Sequence, residues 1–330
     1  PGKFGMSNDF WRDKRVFITG CTGHLGSWLT DALLTRGAHI VGLIRDRVAN
    51  SQLIRTALID QIDVVYGNVC DYPLLERVLA EYEIDTIFHL AAQTLVGVAN
   101  RAPLSTFETN IRGTWMILEA ARHNPTVRRI ITASSDKAYG AQPQLPYCED
   151  APLQGQHPYD VSKSCADLIA YTYAHTYNLP VTVIRSANLY GGGDLNWNRI
   201  VPGTMRSVLR GERPLLRSDG TMKRDYIFIK DVVRGFLMAA EQMQQPNVAG
   251  EAFNFGSNHP VTVLDMVNTI IQLSDYPHLQ PVILDEARHE TRDQYLCTDK
   301  ASQILGWQPQ FSLVEGLRET MVWYDDFLTQ

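Results

Sequence analysis

The chain has 330 residues, 45% of them hydrophobic and 20% charged, the profile of a soluble globular protein of one large or two smaller domains. A net charge of −6 without any basic run excludes nucleic acid as an expected partner, and no apolar stretch reaches the length of a membrane span. Five scattered cysteines (Cys21, Cys70, Cys148, Cys165, Cys297) make no disulfide framework and fit a reducing cytoplasm. The histidines never pair with Cys, Asp or Glu at ligand spacing, so no metal site is expected. No signal-peptide pattern opens the chain, and residues 1–5, ahead of Met6, read as a cloning remnant.

The first predicted strand, 16–19, runs into Gly20-Cys21-Thr22-Gly23-His24-Leu25-Gly26 and then a helix over 26–36. Strand, glycine turn and helix form the context in which spaced glycines bind a dinucleotide. Gly20 permits the turn, Gly23 lets backbone N–H groups approach a pyrophosphate, and Gly26 allows close helix–strand packing. Cys21 reads as a small residue in that turn rather than a nucleophile. Further strands are predicted at 39–44, 62–66, 86–89, 129–133 and 181–186, and helices at 73–82, 107–123 and 161–177. This alternation predicts a doubly wound, Rossmann-type parallel sheet whose ligand crevice lies at the strands' carboxyl ends.

Arg45 ends the second strand, where NAD-binding chains carry an acid for the ribose 2′-hydroxyl. Arginine there tips the NAD(P) choice slightly toward NADP, although Asp46 could still serve NAD. After the strand at 129–133 come Ser134, Ser135, Asp136 and Lys137, and a helix then opens on Tyr159-Asp160-Val161-Ser162-Lys163. Four-residue spacing puts the Tyr159 phenol and the Lys163 ammonium one turn apart on one helix face. The lysine charge is expected to lower the phenol pKa and the lysine to hold a nicotinamide ribose, with Tyr159 as base and a serine orienting a substrate oxygen.

From about residue 190 glycine and arginine become frequent, and short strand-like pieces such as 252–255 alternate with helices at 262–274 and 313–328. The expected division is a dinucleotide-binding domain over 6–190 and a smaller α/β substrate-binding domain over 191–330, interleaved with the first.

These motifs resemble the extended short-chain dehydrogenase/reductase superfamily over nearly the whole chain. The resemblance also rests on His89-Leu90-Ala91-Ala92-Gln93, Thr109-Asn110-Ile111-Arg112-Gly113-Thr114, Asn188-Leu189-Tyr190-Gly191 and the run from Arg224 to Val232. Within it the likeness is to nucleotide-sugar 4,6-dehydratases of the CDP-glucose type. Phe10-Trp11, Ser135-Asp136-Lys137, Gly191-Gly192-Gly193-Asp194 and Asn198-Arg199-Ile200-Val201-Pro202 carry it.

The resemblance implies C4 oxidation of a nucleotide-diphosphate sugar, loss of water across C5 and C6, and hydride return to C6. Ser135, Asp136, Lys137, Tyr159 and Lys163 would be catalytic. Asp136 would be the acid for the departing 6-hydroxyl, and Lys137 stands where the wider family has a glutamate base. A lysine serves there only if its pKa is depressed; otherwise it donates a hydrogen bond to substrate. Gly20, Thr22, Gly23, His24, Leu25, Gly26, Arg45, Asn68, Val69, Ala91, Ala92, Tyr159 and Lys163 would hold the cofactor. Asn188, Arg199, Arg224 and Arg292 would face the substrate diphosphate. A homodimer through helices 107–123 and 161–177 is the family expectation. A sugar-nucleotide epimerase is the alternative activity, and a non-catalytic dinucleotide sensor the remote one.

Overall fold

Apolar runs separated by amphipathic ones fold here into strands covered on both faces by helices. The computed structural model describes residues 9–286 and 292–329; the remnant read at 1–5 lies outside them. Strands β1 (Arg15–Thr19), β2 (His39–Ile44), β3 (Asp63–Tyr66), β4 (Thr86–His89), β5 (Arg129–Ser135) and β6 (Val181–Ser186) come first. Then follow β7 (Asn188–Tyr190), β8 (Leu215–Leu216), β9 (Lys223–Arg224), β10 (Tyr226–Phe228), β11 (Ala252–Phe255), β12 (Val261–Thr262) and β13 (Val282–Ile283).

The main sheet has seven parallel strands in the order β11-β6-β5-β4-β1-β2-β3. The chain winds outward from β1 to β3 and returns to β4 on the other side of β1. The switch point, and hence the crevice, lies beyond the carboxyl ends of β1 and β4.

The connecting helices are α1 (His24–Leu34), α2 (Gln52–Arg55), α3 (Tyr72–Glu81), α4 (Val96–Arg101), α5 (Pro103–Phe107), α6 (Gly113–Arg122) and α7 (Pro158–Tyr177). The later ones are α8 (Ile200–Leu209), α9 (Ile229–Glu241), α10 (Val263–Leu273) and α11 (Leu313–Thr329). On one face α3, α6 and α7 bury Leu75, Val78, Ile117 and Ala170 with Phe17, Val41 and Ile130 of the sheet. On the other, α1 and α9 bury Leu29, Leu33 and Phe236 with Val16, Ile18, Phe88 and Ile131. Strands covered on both faces need apolar residues at successive positions, which is why they read as unbroken runs.

Three departures from the sequence reading bear on function. The segment 252–255, assigned above to the smaller second part, is an edge strand of the main sheet: β11 pairs in parallel with β6, Ala252 opposite Val183 and Phe255 opposite Ser186. Phe253 and Phe255 are fully buried there. The helix expected over 107–123 is α5 and α6 joined by a π turn at Glu108–Arg112. Such turns add a residue to the helical repeat and re-aim a side chain, often at functional sites. Here it points Asn110 inward. Helix α7 starts at Pro158, three residues early, because proline's fixed φ and missing N–H suit a first turn.

A buried ion pair ties α7 to β6. Arg185 donates from Nε and Nη2 to both Asp167 oxygens (2.8 and 2.9 Å), and from Nη1 to the Tyr139 hydroxyl (2.9 Å). Tyr139 donates in turn to Asn254 Oδ1 on β11 (2.7 Å). The network fixes the turn after β5 against sheet and helix. Asp167→Ala would leave a guanidinium buried without its carboxylate, so we expect a loss of about 3–5 kcal/mol. Denaturant unfolding checks this; a change below about 1 kcal/mol would mean that the site relaxes or hydrates.

Candidate active site

Loops beyond β1, β4 and β5 and the first turns of α7 build the crevice. Gly20 has a φ of +76°, and a Cβ on it would stand 2.8 Å from the Ala91 amide nitrogen; one on Gly26 would stand 2.1 Å from the Gly20 carbonyl oxygen. Only hydrogen fits at either position, so the turn holds a concave backbone against the first turn of α1, as a pyrophosphate requires. Thr22, Gly23, His24 and Leu25 complete this turn. Burial pulls the His24 imidazole down to about 4, so the ring is neutral at physiological pH; its Nε2 is buried without a hydrogen-bond partner among the described residues. The same burial holds the Cys21 thiol up at about 12, which fits a packing residue and not a nucleophile.

Thr19 and His89 order the next wall. Thr19 Oγ1 lies 2.8 Å from His89 Nδ1 and accepts from the amides of Leu90 and Ala91, both at 3.2 Å. Asn110 in the π turn accepts from the Gln93 amide (2.7 Å) and donates to the Gln93 carbonyl (3.1 Å) and to Ser162 Oγ (2.8 Å) on α7. The segment carrying Ala91 and Ala92 is thus bolted to the helix carrying Tyr159 and Lys163. A small enclosed cavity lies here, with Ala91, Asn110, Ser134 and Lys163 in its lining. Ser134 Oγ is another buried atom without a partner among the described residues. The glycine cradle and these unspent polar atoms fit a nicotinamide dinucleotide lying along the strand ends.

Ser135 ends β5, and the backbone then turns through a short 3-10 helix, Asp136–Tyr139. Ser135 Oγ donates to Asp136 Oδ1 (3.0 Å), accepts from the Lys137 amide (3.2 Å), and lies near enough to the Tyr159 phenol to influence it. Burial pushes that phenol up to about 12; Ser135 and the Arg199 guanidinium pull it back, Asp136 and Asp160 push it further. Ser135 and Arg199 are the leading influences that lower it. Lys163 is itself lowered to about 8 by burial, partly opposed by Asp167, and its Nζ donates to the Ala133 carbonyl (2.7 Å). It still carries its proton at neutral pH.

Asp136 is 2% exposed, and its Oδ2 has no hydrogen-bond partner among the described residues. Lys137 Nζ donates to Oε1 of Gln294, whose Nε2 donates to the Asp136 carbonyl (2.9 Å). The sequence reading did not find Gln294; nothing in its local pattern marks it. It also missed Asp225, a fully buried carboxyl pushed up by burial and by Asp136 and held by Ser257 and the Leu296 amide.

The remaining proposed contacts are less concentrated. Arg45 and Asp46 pair with each other (2.6 Å), both exposed, just past β2. Asn68 is exposed past β3, its Oδ1 accepting from the Cys70 amide (2.9 Å), while Val69 is buried. Asn188 Nδ2 donates to the Asp225 carbonyl (3.0 Å). Arg199, at the start of α8, pairs with the buried carboxylate of Asp194 (2.9 Å) and lies near enough to Tyr159 to influence it. Arg224 is buried, its Nη1 donating to the carbonyls of Arg292 (2.7 Å) and Lys223 (3.0 Å). Arg292 is exposed at the edge of the described residues. Arg199 and the turn at Ser135–Lys137 therefore converge on Tyr159, whereas Arg45 and Asn68 stand away from it, past β2 and β3.

A family model described as GDP-mannose 4,6 dehydratase matches residues 17–320. Similar in sequence are a CDP-glucose 4,6-dehydratase of Salmonella typhimurium, 29% identical over 97% of this chain and 92% of the relative, and a UDP-glucose 4-epimerase of Mycolicibacterium smegmatis, 30% identical over 94% and 98%. Similar in structure is a dTDP-glucose 4,6-dehydratase from Bacillus anthracis in complex with NAD. Its TM-score is 0.82 at 26% identity, with 95% of this chain and 97% of that one covered.

Proposed function

The chain belongs to the GDP-mannose 4,6 dehydratase family, enzymes of the extended short-chain dehydrogenase/reductase type, and from that footing we propose that it converts a nucleotide-diphosphate hexose into its 4-keto-6-deoxy derivative. The observation that carries this choice is the turn Ser135-Asp136-Lys137: an oxidation machinery at Tyr159 and a buried acid share one hydrogen-bonded corner. A C4 epimerisation needs the first of these and not the second.

A nicotinamide dinucleotide, when bound, supplies the hydride acceptor and donor of the cycle. The Tyr159 oxygen takes the proton of the sugar 4-hydroxyl, and Ser135 orients that oxygen. Lys163 holds positive charge behind the phenol and reaches the ribose. The resulting ketone acidifies the C5–H bond. Lys137 faces that proton as base, or donates a hydrogen bond to the sugar. Asp136 protonates the leaving 6-hydroxyl, so water departs and the carbon accepts hydride in its place; C5 regains a proton. The net balance is substrate to 4-keto-6-deoxy sugar plus water.

The dinucleotide rests on the turn of Gly20, Thr22, Gly23, His24, Leu25 and Gly26, with Ala91 and Ala92 beside the nicotinamide and Asn68 and Val69 at the adenine. At the ribose Arg45 favours the 2′-phosphate of NADP, and Asp46, its partner at 2.6 Å, favours the 2′-hydroxyl of NAD. Asn188, Arg199, Arg224 and Arg292 serve the diphosphate. CDP-glucose is the substrate the Salmonella relative favours. With this reading goes a division near residue 190 into cofactor and substrate parts, except that 252–255 joins the sheet of the first.

Trp115 on α6 and Leu168, Tyr171 and Tyr177 on α7 are exposed at 37%, 54%, 56% and 50%, an apolar surface that suits a second copy of the chain. No helix among the described residues is long and apolar enough to cross a membrane.

The test is incubation with CDP-glucose, GDP-mannose, UDP-glucose and dTDP-glucose, followed by NMR in heavy water. A C6 methyl doublet with deuterium at C5 supports the dehydratase and names its sugar. Epimerised hexose without a methyl makes the chain an epimerase.

A further inference from the structure

Gln294 meets Lys137 across 157 positions of sequence. Its side chain is 1% exposed, and its backbone is held at both ends: its amide donates to the Lys223 carbonyl (3.1 Å) and its carbonyl accepts from the Asp225 amide (3.2 Å). The amide group has a single orientation. The Asp136 carbonyl can only accept, so it takes the NH2 end at 2.9 Å and leaves Oε1 for the lysine. Lys137, by contrast, is half-buried on a long flexible stem.

We propose that Gln294 is a positioning residue for the elimination half of the reaction, a neutral clamp that holds the Lys137 nitrogen and the Asp136 turn as one unit. The inference rests on the dehydratase reading above. Its logic lies in the charges around Lys137. Asp136 sits on the same turn, Asp160 at the start of α7 is raised by burial and partly drawn back by Lys137, and behind them Arg224 ends β9 with Asp225 next to it, before β10. Tyr147 and Tyr159 face Asp136 as well. A carboxylate in place of Gln294 would add a negative partner in direct contact and fix the lysine as an ammonium. An amide accepts one N–H and leaves the remaining positions on nitrogen to the substrate, whether for a hydrogen bond or for the C5 proton. It fixes direction without fixing charge.

Two variants test this. Gln294→Met keeps length and removes both hydrogen bonds; Gln294→Glu keeps length and the acceptor but adds charge. The first readout needs no turnover: trace acetylation of the dinucleotide-loaded enzyme across pH, with Lys137 followed by mass spectrometry. We expect Lys137 to react several-fold faster in Gln294→Met and to titrate about one pH unit higher in Gln294→Glu. The second readout separates the half-reactions. Gln294→Met should oxidise C4 within about twofold of the wild type yet form methyl product about tenfold more slowly or worse. Unchanged Lys137 reactivity and titration in both variants would overturn the clamp. So would oxidation and elimination falling together in Gln294→Met, the mark of a merely structural role. If the wild type gives no methyl on any sugar nucleotide, the dehydratase reading fails, and the Lys137 titration still decides whether the amide holds the lysine.

Discussion

Tyr159→Phe is expected to lower C4 oxidation by about 10²–10⁴-fold while leaving the unfolding midpoint near that of the wild type. The ring is 9% exposed and the substitution keeps its shape, so packing survives. What goes is the oxygen proposed to take the 4-hydroxyl proton. That oxygen is costly to ionise, since burial pushes the phenol up to about 12. Activity should therefore climb with pH on the acid side as the phenolate fraction grows. The expected ceiling is Lys163: lowered to about 8 by burial, it loses its positive charge above that pH, and with it the charged contact to the ribose proposed above. Single-turnover measurement of near-ultraviolet nicotinamide absorbance after mixing with sugar nucleotide reads the step directly. A variant within tenfold of the wild type would mean that another group takes the proton.

Asp136→Asn is expected to cut the reaction in two. Oxidation at C4 should persist within a few-fold, because the amide retains an Oδ1 acceptor for Ser135 and the turn keeps its shape. Methyl formation should fall by about 10²-fold or more, because an amide cannot protonate the leaving hydroxyl. The near-ultraviolet absorbance should then rise and stay, while the wild type returns to baseline. The carboxyl is 2% exposed with one oxygen uncommitted, the arrangement of a group kept for a substrate rather than for the fold. If product formation is indifferent to this change, the dehydratase reading gives way to the epimerase.

Local order carries much of this in the sequence. The strands at 39–44, 86–89, 181–186 and 252–255 have the bounds that their apolar runs predict. The four-residue spacing of Tyr159 and Lys163 is a property of one helix and needs no tertiary knowledge. What stayed hidden depends on contacts between distant segments. The run at 252–255 looks like any short strand, and its partner, β6, is a choice of sheet order that no periodicity encodes. The π turn at Glu108–Arg112 leaves the helical pattern of apolar residues nearly intact, so 107–123 reads as one helix. Gln294 and Asp225 reach the site through the fold alone. Sequence spacing says that Tyr159 and Lys163 are neighbours, but burial sets how readily each ionises, raising the phenol to about 12 and lowering the ammonium to about 8.

The outermost strand gives the molecule an interlock. Because β11 leaves the later half of the chain, crosses back and closes the sheet beside β6, neither half is a self-contained module. Exchanging everything after residue 190 with a relative, to borrow its sugar specificity, would also exchange Phe253 and Phe255 from the core of the main sheet, and Asn254, which accepts from Tyr139 in the turn after β5. New specificity in this scaffold is therefore more easily grafted loop by loop, onto a retained 252–255, than inherited as a domain.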